Sequence, residues 1–328
     1  MKGSLTPEKI WKGFLTGDLS KENAVKMLIS LIEGSEDSEI RVDSVKILEK
    51  INFQTENIFK ILENYLISDE SAVVRASVAN YIIHNYPEDS LSALKWVVQH
   101  EKSPLVLKIF FDSKKKFDNP QFLRIKEELI NWNEQYAAKI GVVSQESKFF
   151  LDLEALFAKD KRTYEVNPNF YKNFEKLSNV KNGEPWLVIR NKRVEILDFN
   201  YYNWKWVKEN SDIVNSLYKF KYLDVYFNSL NKYNISDEDF FEIPESIGNL
   251  TYLKKLTLAQ NRLQKIPESI GSLKLLKELD LSYNNFHEIP QIIEALNSLE
   301  KLNLKGNQIQ VIPDSLGFFI NSLENFKY

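Results

Sequence analysis

Residues 253–261, 276–284 and 299–307 read LKKLTLAQN, LKELDLSYN and LEKLNLKGN, three copies of one pattern, each starting 23 residues after the last. Each is followed by an Ile-Pro pair, at Ile266-Pro267, Ile289-Pro290 and Ile312-Pro313. A fixed period this short predicts a solenoid. One coil cannot bury its apolar face alone and has to stack on its neighbours. Such a stack offers a long open surface rather than a closed pocket, so binding is a better first expectation than chemistry.

Extended outwards, the template L-x-x-L-x-L-x-x-N-x-L fits the unit beginning at Phe220, with Leu223, Val225, Asn228 and Leu230. It fits the unit beginning at Val194 with aromatic substitutions, and Tyr202 stands where the Asn would be. Leu323, Phe326 and Tyr328 begin a further copy. The expectation is five units and a partial one, stacked in chain order. The unit at Phe220 is longer than the others, and the extra residues are placed in a polar, acidic loop at 231–240.

Each position has a physical reason. The L-x-L core alternates with period two, as a short strand must, and points its leucines inwards. Asn228, Asn261, Asn284 and Asn307 turn the chain, and their amides can bond neighbouring coils, forming a ladder that satisfies buried peptide groups. The Ser-Ile-Gly-x-Leu segments at 246–250 and 269–273 supply a short helical turn on the convex side. Residues 186–197 read as a hairpin that covers the exposed first coil, which would otherwise present an unpaired edge. These repeats resemble the 23-residue leucine-rich repeat of the Ras-associated and bacterial types. The resemblance implies a curved parallel sheet with a concave, partner-binding face.

From Thr6 to about Lys139 the apolar period becomes 3.6, with faces such as Ala24, Met27, Leu28, Leu31, Ile32 and Ile58, Ile61, Leu62, Tyr65, Leu66. Helix starts are signalled at Thr6-Pro7, Ser20 and Ser38. The joints echo one another. Arg41 and Arg75 stand 34 residues apart in similar contexts, and residues 103–108 give a poorer third copy. This resembles HEAT-type helical repeats, and the two arginines are read as ties between successive helix pairs. The fold class expected is therefore α+β and multidomain: an N-terminal α-solenoid over 1–140, a connecting helix and loops over 141–185, and a leucine-rich repeat solenoid over 186–328.

Composition narrows the function. Lys+Arg 43 against Asp+Glu 46 gives a net charge of -3 with both signs mixed, which argues against a nucleic-acid binder or a polybasic membrane anchor. With no cysteine there is no thiolate nucleophile, disulfide framework or Cys-based zinc site, which fits a reducing cytoplasm. No leading segment resembles a signal peptide and no uncharged run is long enough for a membrane span. His84, His100 and His287 lack metal-ligand spacing, and no Gly-rich phosphate loop or nucleophile elbow occurs. No catalytic, cofactor or metal residues are therefore expected.

The remaining candidates lie on the concave strand positions. These are Tyr201, Tyr222, Asp224, Tyr226 and Phe227 in the early coils, and Lys255, Thr257, Gln260, Glu278, Asp280, Tyr283, Lys301 and Asn303 in the regular ones. Aromatics rimmed by polar groups anchor protein interfaces. The expected function is a non-enzymatic scaffold or adaptor for a protein partner. The resemblance adds the alternative of a small-GTPase regulator. A second alternative is a self-assembling structural protein, dimerising through the strand edge at 323–328.

Overall fold

A computed structural model describes residues 5–158, 187–198 and 243–328. The described chain divides into two compact units, the boundary falling between Asn131 and Trp132.

The first unit is helical. It comprises α1 (Pro7–Thr16), α2 (Lys21–Gly34), α3 (Ser38–Ile51), α4 (Glu56–Ser68), α5 (Ala72–Asn85), α6 (Leu91–His100), α7 (Pro104–Asp112) and the start of α8 (Leu123–Ile140). Thr6 and Ser20 cap their helices, accepting from Lys9 and Asn23 N–H. The start of α3 is capped by Asp37, whose carboxylate accepts the Glu39 N–H at 2.8 Å, and not by Ser38 as the sequence suggested. A carboxylate one residue earlier outcompetes the hydroxyl, because charged acceptors suit a helix N-terminus. α2 packs on α3, α4 on α5 and α5 on α7, burying Leu28, Ile32, Leu48, Leu62, Ile82 and Val106.

The two repeated arginines occupy equivalent environments. Arg41 Nη1 donates to the carbonyls of Ser35 and Glu36, and its Nη2 to Asp69 Oδ1 at 3.1 Å. Its Nε lies 3.0 Å from Asp69 Oδ2, outside hydrogen-bonding angles. Arg75 Nη1 donates to the carbonyls of Asp69 and Glu70, and its Nε and Nη2 grip both oxygens of Glu101 at 2.8 and 3.0 Å. Each acid also holds the N-cap residue of the next helix: Asp69 accepts the Ser71 N–H and Glu101 the Ser103 N–H, both at 2.8 Å. The third echo breaks this row. Four residues beyond Ser103, where Arg75 follows Ser71, stands the buried Leu107.

The second unit carries α9 (Ser144–Ala158), a six-stranded sheet and α10 (Gly317–Ser322). The strands are β1 (Leu187–Arg190), β2 (Arg193–Asp198), β3 (Lys255–Thr257), β4 (Glu278–Asp280), β5 (Lys301–Asn303) and β6 (Asn325–Lys327), in that order across the sheet. β1 and β2 form an antiparallel hairpin whose turn residues, Asn191 and Lys192, both have positive φ, as a tight type I′ connection requires. From β2 onwards every pairing is parallel, with Leu197, Leu256, Leu279, Leu302 and Phe326 in register.

One expectation is corrected here. The unit beginning at Phe220 was placed between those beginning at Val194 and Leu253, yet β2 pairs directly with β3, matching Ile196 to Lys255 and Leu197 to Leu256. β2 offers the same alternation as the regular strands, so it completes the ladder without an intervening strand. Residues 199–242, including that unit and the 231–240 insertion, lie outside the described residues.

Opposite the strands, 3-10 turns at Glu245–Asn249, Glu268–Ser272, Gln291–Ala295 and Asp314–Leu316 return the chain. Their Ile247, Ile270, Ile293 and Leu316 meet Leu256, Leu258, Leu279, Leu281, Leu302 and Leu304 in the interior, all at most 2% exposed. Each such side chain contributes about 2 kcal/mol by leaving water. α9 packs against the first of these turns, and Asp152 accepts the Ser246 hydroxyl at 2.5 Å. The segment read as a connector therefore includes a helix built into the repeat unit. No helix among the described residues is long and apolar enough to cross a membrane.

Candidate functional site

The strand face turned away from the leucines carries the candidate residues, because side chains alternate along each strand. Parallel register lines them up in columns. Lys255, Glu278 and Lys301 are direct neighbours, as are Thr257, Asp280 and Asn303.

The first column is an ion-pair ladder. Lys301 Nζ lies 2.6 Å from Glu278 Oε1, and Lys255 Nζ 3.9 Å from Glu278 Oε2. The Glu278 hydrogen bond pushes the Lys301 ammonium pKa up. A second ladder runs one residue earlier, with Lys254 on Glu195 at 3.0 Å and Lys277 on Glu300 at 2.5 Å. In the Thr257 column, Asp280 and Asn303 are joined by a hydrogen bond. Asn303 Nδ2 donates to Asp280 Oδ2 at 3.1 Å, while Asp280 Oδ1 accepts from Ser282 N–H and hydroxyl at 2.9 and 2.6 Å. Lys255 and Lys301 thus share the one carboxylate of Glu278, while Lys254 and Lys277 each have a glutamate of their own.

Behind the strands, the asparagines form the expected ladder. Asn284 is 3% exposed. Its Nδ2 donates to the carbonyls of Leu258 and Leu281 at 2.9 Å, and its Oδ1 accepts the N–H groups of Asn261 at 3.0 Å and Leu263 at 2.9 Å. Asn307 repeats this on Leu281, Leu304 and Phe286.

A second regularity was missed in the sequence. Gln260, Tyr283 and Gly306, in equivalent places of three coils, all adopt the left-handed backbone, with φ of 64°, 54° and 76°. The glycine at 306 was the available signal, since glycine is the default residue there. Its lack of a side chain also makes room for Tyr283: a Cβ at 306 would lie 2.5 Å from the ring. Tyr283 is 51% exposed. Tyr201, Tyr222, Asp224, Tyr226 and Phe227 lie outside the described residues, so the structure brings together the candidates from Lys255 to Asn303, of which Tyr283 is the aromatic one.

α9 is tied to β2 by Glu146, a fully buried carboxylate. Its Oε2 accepts the Val194 N–H at 2.9 Å, and Arg193 Nη1 lies 3.4 Å from its Oε1. Arg193 also sits 4.6 Å from the centre of the Tyr252 ring. Burial raises the Glu146 pKa above the usual carboxylate value, against the lowering effect of these two donors.

His84, His100 and His287 each bond a nearby backbone carbonyl, of Asn80, Trp96 and Asn285. Among the described residues no three His, Cys, Asp or Glu side chains are grouped to hold a metal.

Residues 192–317 match a family model described as a leucine-rich repeat region. Among solved structures, the chain is similar to a leucine-rich repeat protein of Leptospira interrogans, with 32% identity over 26% of this chain and 22% of that one and a TM-score of 0.24. The match therefore spans less than a quarter of that protein's length. No curated protein matches. The family match alone places leucine-rich repeats at residues 192–317, a class of module whose general role is protein interaction.

Proposed function

We propose that this chain is a non-enzymatic adaptor that binds a protein partner on the concave face of its leucine-rich repeats. The observation that carries the reading is the alignment of Lys255, Glu278 and Lys301 beside Thr257, Asp280 and Asn303 on one open face, while the leucines fill the other. An exposed, rigid, polar surface with a half-exposed tyrosine has the make-up of a protein interface rather than of a reaction centre. In this reading residues 1–140 form a HEAT-like helical array, residues 186–328 form a repeat solenoid of the 23-residue type, and α9 closes the first coil. The matched positions of Arg41 and Arg75, each bridging to the next joint, support the helical-repeat assignment.

Affinity capture from native lysate tests the proposal. The wild type should retain a specific protein that the Glu278→Lys, Asp280→Lys variant loses. Equal capture by both would remove the face from consideration. A captured small GTPase whose binding depends on its nucleotide would specify the partner class.

A further inference from the structure

Four strand-side lysines lie against three glutamates: Lys254 on Glu195, Lys277 on Glu300, and Lys255 and Lys301 both on Glu278. Lys305 and Lys327 form no ion pair among the described residues, and both are exposed. They lie together at one corner. Lys327 of β6 stands opposite Asn303, and its carbonyl accepts the Leu304 N–H at 2.6 Å, so the turn that begins with Lys305 starts beside it. Tyr283 adjoins them, its N–H donating to the Lys305 carbonyl at 2.7 Å.

Tyr283 is an unusual residue for its place. A bulky side chain in the left-handed region is strained, and such strain recurs at functional sites. Here the backbone holds a tyrosine with one side of its ring over Gly306 and half its surface in solvent. A tyrosine has only two side-chain torsions to fix, so it loses little entropy when a partner covers it.

We infer that Tyr283, Lys305 and Lys327 form the anchor for an acidic segment of the partner polypeptide. This rests on the concave-face reading above. The ring supplies apolar contact, and the two ammonium groups supply positive charge that is not already engaged in an ion pair among the described residues, as that of the other strand-side lysines is. Glu278 and Asp280 on the same face disfavour a continuous phosphate backbone, so a polypeptide fits better than a nucleic acid.

The test uses the full chain and a random dodecapeptide phage library. Selected peptides are resynthesised and titrated by fluorescence anisotropy against wild type, Tyr283→Asn, Lys305→Glu and Lys265→Glu. Asparagine suits the left-handed backbone, so that variant keeps the fold; Lys265 is exposed and outside the corner. The expected result is peptides rich in Asp and Glu. Their affinity should fall about tenfold or more on Tyr283→Asn and Lys305→Glu, hold on Lys265→Glu, and weaken with salt. Peptides without acidic enrichment, or indifferent to both substitutions, overturn the anchor. If those peptides are instead lost on Glu278→Lys or Asp280→Lys, the concave face stands and only the corner is wrong. Failure to select any peptide counts against both, and displacement of the peptides by oligothymidylate shows a nucleic-acid site instead.

Discussion

Glu146 Oε2 accepts the Val194 N–H at 2.9 Å, joining α9 to the first residues of β2 through a carboxylate with no solvent exposure. The contact spans 48 residues of sequence and ties α9 to the strand from which the parallel pairing starts. Because burial raises the Glu146 pKa, its contribution to stability is fully present below the unfolded value of about 4.3 and is lost as pH rises through the folded one. Glu146→Gln keeps an acceptor for Val194 and removes the charge. Urea denaturation should therefore show this variant faring better, relative to wild type, at pH near 7 than at pH near 4. Glu146→Ala should lose about 1–3 kcal/mol at both, since the Val194 N–H is left buried and unpaired.

Asn284 satisfies backbone groups on two coils at once. Asn284→Ala should cost about 3 kcal/mol or more, because several buried donors and acceptors lose their partner together. The neighbouring Asn285, half-buried and outside the ladder, should tolerate alanine within about 0.5 kcal/mol. Chemical denaturation of the two variants side by side checks the contrast.

The Arg41–Asp69 pair is buried, with side chains 8% and 4% exposed. Asp69→Ala should cost about 3–5 kcal/mol by stranding the guanidinium and leaving the Ser71 N–H without its acceptor, whereas Arg41→Met with Asp69→Leu should recover part of the loss. A double-mutant cycle read by denaturation gives the coupling. Additive single effects would show that the two residues act apart.

Gly306→Ala should destabilise by about 1–2 kcal/mol from the left-handed backbone alone, with a further cost from the Tyr283 ring. Removing the ring first, as in Tyr283→Ala, relieves the contact but not the backbone strain. Thermal melts should therefore show a smaller penalty for Gly306→Ala in the Tyr283→Ala background than in the wild type.

The repeat core was legible because it is periodic. Leu256, Leu279 and Leu302 recur at one interval and land in one register, and Asn261, Asn284 and Asn307 follow them into the ladder. Arg41 and Arg75 were legible for the same reason. Their acidic partners were not, because Asp69 and Glu101 belong to the following joint and take different side-chain lengths to reach equivalent guanidinium groups. The role of Glu146 was hidden too: a lone glutamate near the start of an apolar helix reads as a solvated first-turn acid. The direct pairing of β2 with β3 escaped because the pattern at 220–230 matches the template well, and sequence order alone says nothing of which strands become neighbours in space.

The central claim is that the strand face, and not the face of the 3-10 turns, takes the partner. Lysine acetylation footprinting of the full chain, alone and with its captured partner, tests it most directly. Lys255, Lys301 and Lys305 should become protected while Lys274, bonded to the Ala295 carbonyl on the turn side, keeps its reactivity. Protection of Lys274 with no change at Lys255, Lys301 and Lys305 would contradict the account.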